Sequence, residues 1–596
     1  MSLACERGGR VPLTFPPHRP APRPPAPRMR ASLFLSSDVT IAILSIVIVG
    51  GLAYWLFFVP AIFMDDWTSV LERVVTGNAR WFDLQYRNPL LFTPFLVQHR
   101  LFQLNVSAYY AVIWLLGALT TLLLYLVVVR FPLPERRSFG LVVAMLFWIY
   151  PTNYTHMWMI QLGIYCGTVL AFLYGYSLLR FAAGARWPTL ALALMCLLLS
   201  FGFYEGQVGV VAAWALILAL LYRRAAVSRI AALLTPILLA GIFSAWRTLG
   251  FQSAGIEDQY LSRVVVTPDV LLSRLLLGYK VSLAWGWTYS IEQFIPWASG
   301  AKAAGLFLML SMALAWFSFD WFRSRAGAVV REATMIGHSR TERLTLVRPY
   351  VVAAVIGVAL IGAGYIPVVL VYLPSLSGIG SRHNGFATIG SAVFVGSVLM
   401  AGALLCSRDL QRMRYQVLAS AMPLVLIGIV TQASVQYHNR LAWREQQHIW
   451  GELFLAAPDI KDNTMVLFVL PGYQDRTGFY NWRRTPLSAS WEVSSGVRLL
   501  YDNFTLSGDV YFPDIEEPIE PALTAGGVFI RDTNTMVPYS RAIAFSYDNR
   551  AGQLSRIDEI PAEWVEGTDH PLLLCDDCVL DGARRNIPIR ALVQDE

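Results

Sequence analysis

The sequence predicts an all-α polytopic membrane domain of about eleven transmembrane helices, followed by a small extracytoplasmic α+β domain. Three observations predict it. Hydrophobic residues make up 56% of the chain and charged residues only 15%, where soluble domains carry roughly 25% charge. The apolar residues fall in runs close to the roughly 20 residues that cross about 30 Å of hydrocarbon. Short arginine clusters occupy alternate gaps between those runs, as topology determinants do. That placement also accounts for the net charge of +7 and argues against nucleic acid as a partner.

Taken in order, residues 1–30 are rich in Pro and Arg (PPHRPAPRPPAPRMR) and can bury no core, so they read as a disordered cytoplasmic segment. Met29, before the basic start MRASLF, is a candidate initiation site. Residues 31–436 form the multi-span domain, with apolar runs at 39–63, 106–130, 138–152, 160–181, 188–204, 206–222, 229–246, 301–321, 349–373, 386–406 and 415–433. With a cytoplasmic N-terminus, every basic gap from Arg130, Arg136 and Arg137 to Arg408, Arg412 and Arg414 lands on the inner side. The outer side then holds a first loop at 64–105 and a second long loop at 247–300. Within the latter, residues 268–291 carry Arg274 and Lys280 and read as an amphipathic or re-entrant helix, because a span there would break the charge pattern.

From 437 to 596 the composition turns soluble, with strand-like runs at 465–470, 497–501, 527–530, 542–547 and 572–574. Helical character is expected at 440–455 and 488–495. Parity puts this domain on the outer side, the same side as Asp65 and Asp66. Of the six cysteines, only Cys575 and Cys578 form a CxxC pair. Without a second pair zinc is disfavoured, leaving a loop disulfide or free thiols.

The first outer loop opens on the chain's sharpest chemical signal, MDDW at Met64 to Trp67. As a plain feature, Asp65 and Asp66 are a polar stop with Trp67 as interfacial anchor. As a functional one, carboxylates this close raise one pKa, which suits a general base. They could also hold a divalent cation, Mg²⁺ or Mn²⁺, with substrate phosphates. Other outer polar groups are Arg87, Arg100, His156, Tyr204, Glu205, Arg382 and His383. Glu205, in SFGFYEGQVGV, is costly among apolar neighbours unless it faces a polar cavity or protrudes into water. Arg382 either snorkels to the interface or captures a phosphate with its planar fork. The lone histidines show no metal-binding spacing.

MDDW, the RNPL element at Arg87 to Leu90, the long first outer loop and the soluble tail together resemble the GT-C superfamily of integral-membrane glycosyltransferases. The likeness is to the protein O-mannosyltransferase and aminoarabinose transferase types. It implies transfer of a sugar from a polyprenyl-phosphate-linked donor to a lipid, glycan or protein acceptor at the outer face. In that scheme Asp65 or Asp66 activates the acceptor hydroxyl, Glu205 is a second acidic cavity residue, and Arg382 or Arg87 offsets the charge of the leaving phosphate. Tyr204, His156, His383 and Arg100 complete the substrate-binding set. The chain lacks the DxD of the oligosaccharyltransferases in its first loop and a WWD-type motif in its tail. Two other multi-span classes use lipid-linked sugars. A flippase should show internal repeats, and none is evident. An envelope polysaccharide polymerase would place its arginines in a loop such as 247–296.

Overall fold

The computed structural model describes residues 37–82, 88–153, 158–253, 267–290, 340–376, 379–407, 410–471, 486–487, 489–513, 522–530, 535–565, 567–580, 587, 589–590 and 593. Arg87, His156, the run at 301–321, the N-terminal 30 residues and parts of the 247–300 loop lie outside them.

The helices are α1 (Ser37–Tyr54), α2 (Thr93–Phe102), α3 (Val106–Val128), α4 (Arg136–Trp148), α5 (Gln161–Ala182), α6 (Trp187–Phe203), α7 (Val208–Leu221), α8 (Val227–Ser253), α9 (Pro268–Lys280), α10 (Arg340–Val369), α11 (Gly385–Cys406), α12 (Leu410–Ala456) and α13 (Ser490–Tyr501). Among the described residues, six are long and apolar enough to cross a membrane, within α3, α5, α8, α10, α11 and α12. Shorter apolar helices are α1, α6 and α7. The chain is therefore a helical membrane protein. The count of eleven relied in part on runs that fold as helices too short to cross alone, such as the 13 residues of α4, which reach only about 20 Å.

Close packing depends on small residues. Trp148, at the end of α4, lies so near α1 and α3 that a Cβ on Gly50 or Gly117 would come within 2.3 or 2.5 Å of its ring. Its indole donates to Ile46 O at 3.1 Å. Helices α10 and α11 meet along Gly357, Gly364 and Gly390, where a Cβ on Gly390 would sit 2.4 Å from Ile361 N. Such small-residue seams let backbones approach where lipid provides no hydrophobic drive. The seam brings the residues just before α11 against the C-terminal end of α10.

Three elements differ from expectation. The first helix stops at Tyr54 instead of running to 63. Pro60 follows and disfavours helical backbone before it, so the acidic pair is not the end of a span. It opens a separate π-helix, Asp66–Glu72. At the other end, the last apolar run and the helix expected at 440–455 form one 47-residue helix, α12, which carries Pro423 within it and runs on through the polar tract 434–440 (SVQYHNR). Residues 497–501, read as a strand, belong to α13. Val493, Val497, Leu500 and Tyr501 are all buried, which is the helical i, i+4, i+7, i+8 pattern and not a period of two.

The C-terminal region is strand-rich. Its strands are β1 (Asp459–Ile460), β2 (Met465–Val469), β3 (Ser507–Tyr511), β4 (Ala522–Thr524), β5 (Gly527–Ile530), β6 (Thr535–Val537), β7 (Ala542–Asp548), β8 (Gln553–Ile557), β9 (Glu559–Ile560), β10 (Leu572–Leu573) and β11 (Val579–Leu580). A four-stranded sheet runs β3-β2-β7-β8, with β2 parallel to both neighbours and β8 antiparallel. Helix α13 makes the crossover from β2 to β3 that a parallel pair requires.

Strand β2 is buried on both faces, and its alternation assigns each residue a side. Met465, Leu467 and Val469 pack with Val528 and Ile530 of the three-stranded β4-β5-β6 sheet. Val466, Phe468 and Leu470 join a core that also contains Trp450 of α12, Trp67 of the first loop and Ala42 of α1. One hydrophobic core thus runs from the membrane helices into the C-terminal region without interruption.

Candidate functional site

The two aspartates of MDDW point different ways. Asp66 is fully buried, and each of its carboxylate oxygens accepts a backbone N–H: Oδ2 from Phe63 at 3.3 Å and Oδ1 from Ile160 at 2.8 Å. Ile160 directly precedes α5, so this carboxylate sits at a helix N-terminus, where the helix dipole favours negative charge. Asp66 therefore ties the first loop to α5.

Asp65 turns outward. It carries no side-chain bond within its own turn, and its Oδ2 accepts from Arg382 Nη1 at 2.7 Å, with both side chains about three-quarters covered. Burial works against the guanidinium's charge, but Asp65, with Tyr204 and Tyr372, outweighs it, and the pKa of Arg382 is raised above its ordinary value. The bond joins residues 317 positions apart in the sequence.

Arg382 is placed by the short helix Ile379–Asn384. The fully buried Asn384 pins that turn: its amide donates to Ser375 O at 2.8 Å and Thr152 O at 3.2 Å, and its Oδ1 accepts from the Tyr365 hydroxyl at 2.9 Å. His383 stacks on Tyr372 with ring centroids 4.6 Å apart. Tyr204 stacks on Phe386, four residues beyond Arg382, with ring centroids 5.9 Å apart. Beside it, Glu205 is 9% exposed in the turn between α6 and α7, so this carboxyl does not protrude into water. Arg100 lies elsewhere, its guanidinium 4.8 Å above the exposed Trp81 ring. The structure thus unites Asp65, Arg382, Tyr204 and His383 around one turn, assigns Asp66 to the wall behind them, and leaves Arg100 apart.

From Phe386 a cavity of about 530 Å³ extends between α3, α5, α7, α10 and α11, a size typical of ligand pockets, which hold roughly 300–1,000 Å³. Gln207 and Phe386 lie at the end near Arg382, and Arg348, Tyr222 and Pro132 lie among its lining residues at other helix ends. Nearly everything between is aliphatic or aromatic, including Val128, Phe172, Val211 and Ile356.

The two carboxylates are held by different partners. Asp66 has spent both oxygens on backbone N–H groups, and Asp65 is bonded to a cation. Among the described residues, the one cluster of potential ligands is Cys575, Asp577 and Cys578, and there the two cysteines form a disulfide.

Two residues that hold the site carry no sequence signal of their own. One is Asn384, an ordinary amide in a polar turn until its three bonds are seen. The other is Glu492, 1% exposed on α13, whose Oε1 accepts from Met64 N at 2.9 Å and from Gln446 Nε2 at 3.2 Å. No protein-family model matches the chain, and comparison with curated proteins finds no relative.

Proposed function

We propose that this chain is a membrane glycosyltransferase of the GT-C type. It moves a sugar from a polyprenyl-phosphate-linked donor to an acceptor hydroxyl at the outer face of a bacterial inner membrane. The C-terminal region is then extracytoplasmic and the N-terminus cytoplasmic. The observation that carries this reading is the Asp65–Arg382 pair beside the end of a long apolar cavity. Asp65 bonds Arg382, and four residues further on Phe386 lines that cavity and stacks on Tyr204.

The chemistry follows from the two groups. A polyprenyl tail lies in the cavity and brings its phosphate to Arg382. The guanidinium uses one N–H on Asp65 and offers its remaining donors to phosphate oxygens, for which its planar fork is suited. The acceptor hydroxyl attacks the anomeric carbon as the bond from that carbon to the phosphate oxygen breaks. Asp65 receives the hydroxyl proton, and the electron pair leaves on the phosphate, where Arg382 offsets the charge. Asp66, buried and bonded to two backbone N–H groups, serves by fixing the turn.

The test is transfer from a polyprenyl-phosphate-linked sugar in proteoliposomes. The wild-type chain transfers sugar, and Asp65→Asn lowers the rate by about 10²–10⁴-fold, the range general-base catalysis supplies. Full activity in Asp65→Asn refutes the assignment. Movement of the lipid-linked sugar across the bilayer without bond formation replaces it with a flippase.

A further inference from the structure

The acidic turn is built against the C-terminal region, not against the membrane helices alone. Met64, immediately before Asp65, has φ of +46°, a left-handed backbone conformation that non-glycine residues rarely hold without outside support. Its amide is gripped by the buried carboxylate of Glu492 at 2.9 Å. One turn further on, Thr68 Oγ1 donates to Trp491 O at 2.8 Å, and Ser495 Oγ bonds both Thr68 and Glu72. Arg498 reaches Glu72 at 3.3 Å. Trp67 packs edge-on to Trp450 of α12, with centroids 6.2 Å apart. Every one of these bonds comes from α13 or α12, more than 350 residues away in the chain.

We infer that Glu492 is a positioning residue for Asp65, and that α13 is a working part of the reaction centre rather than of a detached accessory domain. This rests on the transferase reading above. A carboxylate accepting from a backbone N–H fixes the φ of Met64, and that φ sets the direction in which the next side chain leaves the chain. Without Glu492 oxygen there, Met64 relaxes toward ordinary backbone angles and Asp65 loses its line to Arg382. Misplacement by about 1 Å costs roughly 10²-fold in rate. The same coupling works in reverse: whatever shifts α13 shifts Asp65.

The experiment compares Glu492→Gln, which keeps an acceptor oxygen for the Met64 amide, with Glu492→Leu, which does not. The full chain is used in nanodiscs. Hydrogen exchange is read on the peptide covering 61–72, and kcat and KM on polyprenyl-phosphate-linked sugar. In Glu492→Leu the 61–72 peptide exchanges about tenfold faster, as loss of one buried acceptor implies, while α3 and β7 peptides are unchanged. In the same variant kcat falls about 100-fold with KM for the donor unaltered, and Glu492→Gln stays near wild type in both readouts. Where Glu492→Leu does not fold, Thr68→Val removes the bond to Trp491 with little change of shape, and a smaller shift of the same sign is expected.

Unchanged exchange at 61–72, a global rise in exchange, or equal loss in the Gln and Leu variants overturns the inference. A wild-type chain without transfer activity overturns the transferase reading alone, because the exchange arm still decides whether Glu492 holds the turn.

Discussion

Two arginine–carboxylate pairs, in two regions of the molecule, look alike in the sequence and differ in geometry. At the α3–α4 turn, Glu135 receives Arg414 of α12 through both oxygens, Nε to Oε2 at 2.8 Å and Nη2 to Oε1 at 2.6 Å, with 14% and 12% of the side chains exposed. That pair is closed: the carboxylate is filled by the guanidinium fork, and nothing is presented outward. Beside α11, Arg382 gives Asp65 one bond only, and the two side chains are 22% and 26% exposed. An open pair keeps donors and an acceptor in reserve, which a clamp has no use for and a reaction centre requires. Under the proposed function, the single bond of Arg382 leaves donors for a phosphate, whereas Arg414 has committed its fork to Glu135.

Breaking each pair tests that contrast. Arg382→Ala is expected to lower sugar transfer by about 10²–10³-fold, the loss seen when one charge-stabilising donor is removed, with the melting temperature in detergent nearly unchanged. Retained transfer with a large drop in melting temperature would make this pair a second clamp. Arg414→Ala should do the reverse. Stranding the covered Glu135 carboxylate costs about 3 kcal/mol of stability, measured by denaturant unfolding, while turnover per folded molecule holds.

A linkage of neither kind gives a baseline. Cys578→Ser opens the Cys575–Cys578 disulfide, which closes a loop so short that about 2 kcal/mol is the most its entropy supplies. Local proteolysis near β11 should rise, and transfer should not change. The smallest effect probes the cavity end. A Cβ on Gly206 would lie 2.4 Å from the Tyr204 ring and 3.0 Å from Phe386, so Gly206→Ala displaces the stacked rings. A several-fold rise in KM for the lipid-linked donor with kcat kept is expected. A fall in kcat instead would place Tyr204 in the chemistry.

Much of the helical domain was legible because lipid imposes one strong rule, a long apolar run, and α3, α5, α10 and α11 obey it. The edges were less so. The first helix stops at Tyr54, short of Pro60, whereas the last one runs on through both Pro423 and the polar tract SVQYHNR, so neither polarity nor a lone proline fixes a helix end without its packing. At the site, MDDW and Arg382 could be singled out as polar groups without an obvious structural need. Their pairing could not, because it depends on a turn held by Asn384 through three bonds. Nor could the separation of Asp65 from Asp66, since neighbouring residues on a tight turn leave in different directions that composition does not encode. Glu492 was invisible for the plainest reason: in a soluble, amphipathic stretch an acid that turns inward looks like one that turns out.

The 47-residue α12 is also a drive shaft. At 1.5 Å per residue it is about 70 Å long, with Arg414 near one end and Gln446 and Trp450 near the other. One residue added beside the exposed Tyr437 would turn everything beyond by about 100°. Gln446 would swing away from Glu492, and Trp450 from Trp67. The rotational register of this shaft, not only its length, is therefore part of what aims Asp65.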